Sequence, residues 1–121
     1  MKYYPLKLLG YENDYLLTEL GFIIDRTSGT TADAEAHVVF TSTASQYNVV
    51  VYLQKLVNGT WVNDSTNNDY VFYNNGFNSR SFIFTHEYDN LTYGTSYRLM
   101  VVSRDYQGAN EYRTTTYSNS F

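Results

Sequence analysis

The sequence predicts an all-β fold, an antiparallel sandwich of about seven strands with an N-terminal extension. Three observations predict it. Of 121 residues, 14 are tyrosine and 18% are aromatic, and such residues suit half-buried pleated surfaces. Apolar residues recur with period two in short runs, as in Ala36, Val38, Phe40 and again in Val49, Val51, Leu53. Glycine, asparagine and aspartate clusters interrupt these runs at intervals of roughly 8–12 residues. No stretch sustains a helical period.

In chain order, residues 1–15 are set apart as an N-terminal arm or extra edge strand, and 16–121 as the sandwich. The arm holds the only proline, Pro5, which has no amide hydrogen for a ladder and marks an edge. Tyr3, Tyr4, Leu6, Leu8 and Leu9 make this segment the candidate assembly arm. Gly10 with Glu12-Asn13-Asp14 reads as a turn. Leu20, Phe22 and Ile24 share a face, so a strand is expected from about Leu20, and Arg26 to Asp33 is a loop. Ala34–Ser42 alternates, with His37 and Val39 opposite Ala36 and Val38.

Tyr47–Val57 is the most apolar run, because Val50 and Tyr52 back the inward Val49, Val51 and Leu53. Apolar residues on both faces indicate a central strand or a covered outer face. Asn58-Gly59 signals a two-residue hairpin returning through Thr60-Trp61-Val62. Asn63 to Asp69 is a polar loop, Tyr70–Tyr73 a short edge strand, and Asn74-Asn75-Gly76 a turn. Arg80–His86 carries Phe82 and Phe84 on one face. In Leu91–Arg104, Gly94 tightens a corner, and the following strand places Tyr97, Leu99 and Val101 inward. Asp105 to Asn110 reads as a hairpin loop around Gly108, and Glu111–Tyr117 as the last strand.

The segment Leu91-Thr92-Tyr93-Gly94-Thr95-Ser96-Tyr97 resembles the tyrosine corner of fibronectin type III and related immunoglobulin-like domains, with Tyr93 where proline is usual. The run Tyr47–Leu53, the hairpin Asn58-Gly59-Thr60-Trp61 and the stretch Val101–Gly108 are similar to further parts of that family. The family's second-strand tryptophan is missing, and Phe40 is the nearest candidate for its place. The resemblance implies an immunoglobulin-like sandwich in which Leu91, Gly94 and Tyr97 form the fold corner. It leaves residues 1–15 unexplained and implies no particular ligand.

Composition narrows function by exclusion. The net charge is −4 and only 17% of residues are charged, which lacks the basic footprint of nucleic-acid binding. No apolar run reaches the roughly 20 residues needed to span a bilayer as a helix. With no cysteine there are no disulfides, zinc thiolates or thiol nucleophiles. Residues 1–30 show no secretory signal. Either Met1 begins a protein that assembles inside its producing cell, or a signal has been trimmed and replaced.

His37 and His86 are assigned outward-facing positions, without the convergence a metal or catalytic pair requires. Asn63 to Asp69 offers alternating oxygens but lacks the glycine and bidentate glutamate of a calcium loop. Glu35, Glu87, Asp89 and Glu111 give no sign of a shared catalytic surface. Asn58, Asn63 and Asn90 head glycosylation acceptor triplets, relevant only in a eukaryotic secretory pathway. A lysine–asparagine crosslink would need Lys7 or Lys55 buried, and exposed lysine is expected. No nucleophile elbow or phosphate loop appears. The chain is therefore expected to be non-enzymatic, with no cofactor and no metal.

The candidate binding surface is aromatic: Trp61, Tyr70, Phe72 and Tyr73, with Val50 and Tyr52. The expected role is a non-catalytic structural or interaction module, a surface or decoration subunit of a phage or virus particle or a bacterial surface fibre, working through protein–protein contacts. The alternative is a carbohydrate-binding module or adhesin that stacks sugars on the exposed Trp and Tyr rings. Expected partners are other protein subunits or glycans, with no nucleic acid and no membrane insertion. The expected location is a virion surface or the cell exterior.

Overall fold

The computed structural model describes residues 2–7, 17–44, 46–67, 72–76 and 79–121, and the side chains of 21–39, 46–67, 83–104, 106, 108–111 and 113–121. The described residues form nine strands: β1 Lys2–Lys7, β2 Leu17–Asp25, β3 Ala32–Ala44, β4 Gln46–Val57, β5 Thr60–Asn63, β6 Phe72–Gly76, β7 Ser79–Tyr88, β8 Tyr97–Gln107 and β9 Asn110–Tyr117. One antiparallel sheet runs β1-β2-β3-β7 and the other β5-β4-β8-β9, with β6 also paired to β4. Since β8 occupies one side of β4, β5 and β6 share its other side, β5 along Gln54–Val57 and β6 along Tyr47–Val51.

The pleat explains the two-layer architecture. Phe22 and Ile24 of β2, Ala32 to Val38 at even positions of β3, and Phe84 and Tyr88 of β7 lie in one cluster with Tyr47, Val49, Val51 and Leu53 of β4 and Tyr97, Leu99 and Val101 of β8. These residues alternate with exposed or half-exposed neighbours, so each sheet buries one face and offers the other to solvent. Small residues on β3 (Ala32, Ala34, Ala36) share this cluster with the large Tyr97, Phe22 and Phe84, a mixture of sizes that lets the layers interdigitate.

The strands depart from expectation in several places. β2 begins at Leu17 rather than Leu20, and β3 and β7 are longer than their clear alternation. Asn74-Asn75-Gly76 belongs to β6, paired with Val49, Asn48 and Tyr47, instead of forming a turn. The expected loop Asp105 to Asn110 contracts to Gly108-Ala109, since Gln107 pairs with Asn110. At the β4–β5 hairpin Asn58 and Gly59 both take positive φ (50° and 78°), the twist a two-residue turn needs, and Val57 pairs with Thr60. His86 shares the inward side of β7 with Phe84 and Tyr88, correcting the outward assignment; its ring stacks on Phe84 and meets Tyr88 edge-on at 4.6 Å. Phe40 lies in β3 opposite Leu17, with its side chain outside the described ones, as is Phe82.

One end of the sandwich is locked by two residues. Tyr97 is fully buried, and its hydroxyl accepts the Thr92 amide hydrogen at 2.7 Å. Arg26, at the exit of β2, spends its guanidinium on main-chain carbonyls: Nε on Ser28 (3.1 Å), Nη1 on Thr95 (3.0 Å) and Phe121 (3.3 Å), and Nη2 on Gly29 (2.7 Å) and Thr92 (3.1 Å). The same group lies 5.1 Å from the Tyr97 ring centroid. Thus the 26–31 loop, the 91–96 corner and residue 121 are bound through a single cation. The Leu91 amide adds a bond to the Thr30 carbonyl, and the Tyr93 ring covers Gly29, where a Cβ has no room.

Candidate functional site

The outward residues of β4 and β8 alternate with the core. On β8, Tyr97, Leu99, Val101 and Ser103 are buried, while Arg98, Met100, Val102 and Arg104 stand on the outer face. On β4, Asn48, Val50 and Tyr52 do the same. Pairing aligns them into rows: Tyr52–Met100–Tyr117 next to Val50–Val102–Thr115, and then Asn48–Arg104–Arg113. A shallow hollow of about 280 Å³ lies among Asn48, Val50, Tyr52, Val102 and Arg104. This face is apolar and half-exposed along its middle, with arginines to either side.

Trp61 joins the face from β5, opposite Leu56. It is half-buried because Arg98 covers it: the guanidinium carbon is 4.5 Å from the Trp61 centroid and 4.0 Å from that of Tyr117. Gln54 fixes the arginine by accepting from its Nε at 2.8 Å, and donates in turn to Asn63 at 3.0 Å. One face of each ring is thereby occupied by a cation. Trp61 is among the residues expected from the sequence, whereas Arg98, Met100, Val102 and Tyr117 are not. The same period-two pattern that marks the buried half of these strands also marks them, as its outward half.

Among the other candidates, Phe72 and Tyr73 lie in β6 opposite Val51 and Val50, and their side chains are outside the described ones. Tyr73 is six β4 residues from the position opposite Trp61, roughly 20 Å away. Tyr70, Leu8 and Leu9 fall outside the described residues. Tyr3, Tyr4 and Leu6 belong to β1 and pair with Ile23, Phe22 and Leu20, so Lys2–Lys7 forms an edge strand on the chain's own sheet. Leu91 is buried at the corner, and Gly94 takes a φ of 79° with an open position around its missing Cβ.

Glu35 and Glu87, not expected from the sequence to share a surface, line one hollow with Asp33 on the outer face of the first sheet, whereas Asp64 is structurally engaged. Asp64 is buried, accepts from the Thr66 amide (3.0 Å) and the Asn67 side-chain amide (2.6 Å), and lies 3.7 Å from Lys55 Nζ. The Asn67 amide also donates to the Asn90 carbonyl, so this part of the polar loop is tied down by turn bonds. Glu35 meets His37 at 2.8 Å on the outer face of the first sheet. Among the described residues no cluster of His, Asp and Glu has the make-up of a metal site. Burial pushes the Tyr88 hydroxyl far above the usual phenol range. Comparison of the chain with protein-family models, with curated proteins and with solved structures finds no match.

Proposed function

We propose that this chain is a non-catalytic interaction module, a surface or decoration subunit of a larger assembly such as a virus particle or bacterial surface fibre, built on an immunoglobulin-like sandwich of the fibronectin type III kind. The fold part rests on strand partition. With β2, β3, β4, β7, β8 and β9 lettered A, B, C, E, F and G, the sheets divide as A-B-E and C-F-G. Tyr97 stands at the start of F and bonds back to Thr92 in the E–F corner, as the tyrosine corner of that class does.

The functional part rests on one observation, the outer face of β4, β8 and β9. Val50, Tyr52, Met100, Val102 and Tyr117 form a continuous apolar band on a small domain, which suits burial against another protein. The glycan-binding alternative is weakened because Arg98 already covers a face of both Trp61 and Tyr117, the surfaces on which a sugar would stack. A glycan array tests the choice. No binding to any glycan is the expected result. Binding that disappears on Trp61→Ala overturns the proposal in favour of a carbohydrate-binding module.

A further inference from the structure

We infer that the partner for this surface is a second copy of the same chain, stacked so that the outer face of its first sheet covers the outer face of β4, β8 and β9. The inference rests on the interaction-module reading and names the partner within it. It starts from two rows of like charge. On the first sheet, Asp25 lies directly opposite Asp33, and Asp33 directly opposite Glu87. On the second, Arg104 lies directly opposite Arg113. Like charges in directly opposed cross-strand positions are unfavourable within a sheet.

Among the described side chains neither row is fully neutralised. No described lysine or arginine side chain pairs with Asp25, Asp33 or Glu87, and the histidine described on that face is engaged with Glu35. Arg104 and Arg113 share a single carboxylate, Glu111, at 3.9 and 3.4 Å. Each row is what the other lacks. The acidic row also borders a hollow of about 530 Å³ among Ile23, Asp33, Glu35, Thr85 and Glu87, room into which arginine side chains can reach.

Spacing provides a second, independent match. On β7 the exposed Ile83 is four residues from Glu87, and 58% of its surface is open. On the second sheet Met100 is four residues from Arg104 and Tyr117 four from Arg113, and Met100 pairs with Tyr117. Both separations are about 13 Å along a strand. Adjacent strands in either sheet are about 4.8 Å apart, so Asp33 and Glu87 match Arg104 and Arg113 side by side. Placing carboxylates on arginines then sets Ile83 over Met100 and Tyr117, in the apolar band. The two faces differ, so the contact is heterologous and repeats from copy to copy into a ring or filament.

The test uses two variants and their mixture, followed by sedimentation velocity over a wide protein concentration range. Arg104→Glu/Arg113→Glu makes both outer faces acidic, and Asp33→Lys/Glu87→Lys makes both basic. The unaltered protein is expected to associate at low salt and to dissociate near 1 M salt, where the screening length is about 3 Å. Each double variant alone is expected to lose association by more than about tenfold, because like charges then face each other across the contact. Mixed in equal amounts, the two are expected to associate again, through the unaltered acidic face of the first and the unaltered basic face of the second. Restoration on mixing separates a lost contact from a misfolded variant. An unaltered protein that is monomeric throughout, variants that self-associate as it does, or a mixture that stays monomeric each overturns the inference. Any of these leaves the interaction-module reading standing, since that one falls on glycan binding.

Discussion

Replacing Arg26 by methionine should cost more stability than its half-exposed position suggests. The side chain makes five bonds to carbonyls, three of them part-buried (Thr95, Phe121 and Gly29) and two exposed (Ser28 and Thr92). A buried hydrogen bond from a charged donor contributes about 1.5–3 kcal/mol, and partial exposure brings each of the three down to about 1 kcal/mol. The two exposed carbonyls turn to water at little cost. The guanidinium over Tyr97 adds roughly 0.5 kcal/mol, giving a total near 3.5 kcal/mol. For a chain of this size each kcal/mol lowers the melting temperature by about 4 °C, so Arg26→Met should melt about 14 °C lower.

Two comparators sharpen this prediction. Arg26→Lys retains the charge but loses the planar fork, and one ammonium reaches only one or two of the carbonyls, so a loss of about 2 kcal/mol is expected. Tyr97→Phe removes only the acceptor for the Thr92 amide, which lies at the exposed edge of the corner, and should cost about 1 kcal/mol. Thermal melts by circular dichroism order the three, and amide exchange adds a local readout. In Arg26→Met the Leu91 amide, bound to the Thr30 carbonyl across the two loops, should exchange faster, while that of Val101 keeps pace with global unfolding. A melting temperature within about 2 °C of the unaltered protein would refute the account of Arg26 as the tie between the loops.

Two further outcomes concern the core. The Thr114 and Thr116 hydroxyls are buried with no hydrogen-bond partner among the described residues, so Thr116→Val should be neutral or stabilising by up to about 1 kcal/mol, read as a rise in melting temperature. The Tyr88 phenol ionises far less readily folded than unfolded. Below pH 10 it is neutral in both states and has no effect. Above that the unfolded chain releases the proton first, so stability falls with rising pH by up to about 1.4 kcal/mol per unit. Tyr88→Phe should flatten that alkaline slope in melts taken between pH 9 and about 12, and an unchanged slope would locate the effect at another tyrosine.

How much was legible in the sequence depended on where the determinants lay. Strands with strict alternation, β4 and the inner half of β8, are readable because a two-residue period has one structural meaning. β6 is hidden because Asn74-Asn75-Gly76 has turn chemistry, yet pairing with Val49, Asn48 and Tyr47 overrides that local preference. His86 lies inward, against the outward strand position expected of it, because it shares parity with Phe84 and its ring packs on that neighbour. Tyr97 is legible at the corner because its spacing from Leu91 and Gly94 is local. Arg26 is not, since its acceptors are main-chain carbonyls as far as 95 positions away and no side-chain identity advertises them.

The same contrast explains why stability and the proposed recognition are separable in this molecule. Along β8 they are written in alternate residues: Tyr97, Leu99 and Val101 close the core, and Arg98, Met100, Val102 and Arg104 form the outer surface. The heaviest stabilising bonds, those of Arg26 and Tyr97, gather at one end of the sandwich rather than on that surface. Arg98 is the exception, because stacking between Trp61 and Tyr117 and bonding to Gln54 make it part of the face's own architecture. Substitutions at Val102 or Arg104 therefore change what the face meets while leaving the core beneath it intact. Substitutions at Arg98 would alter the shape of the face as well as its charge, which is why the charge-reversal test is built on Arg104 and Arg113.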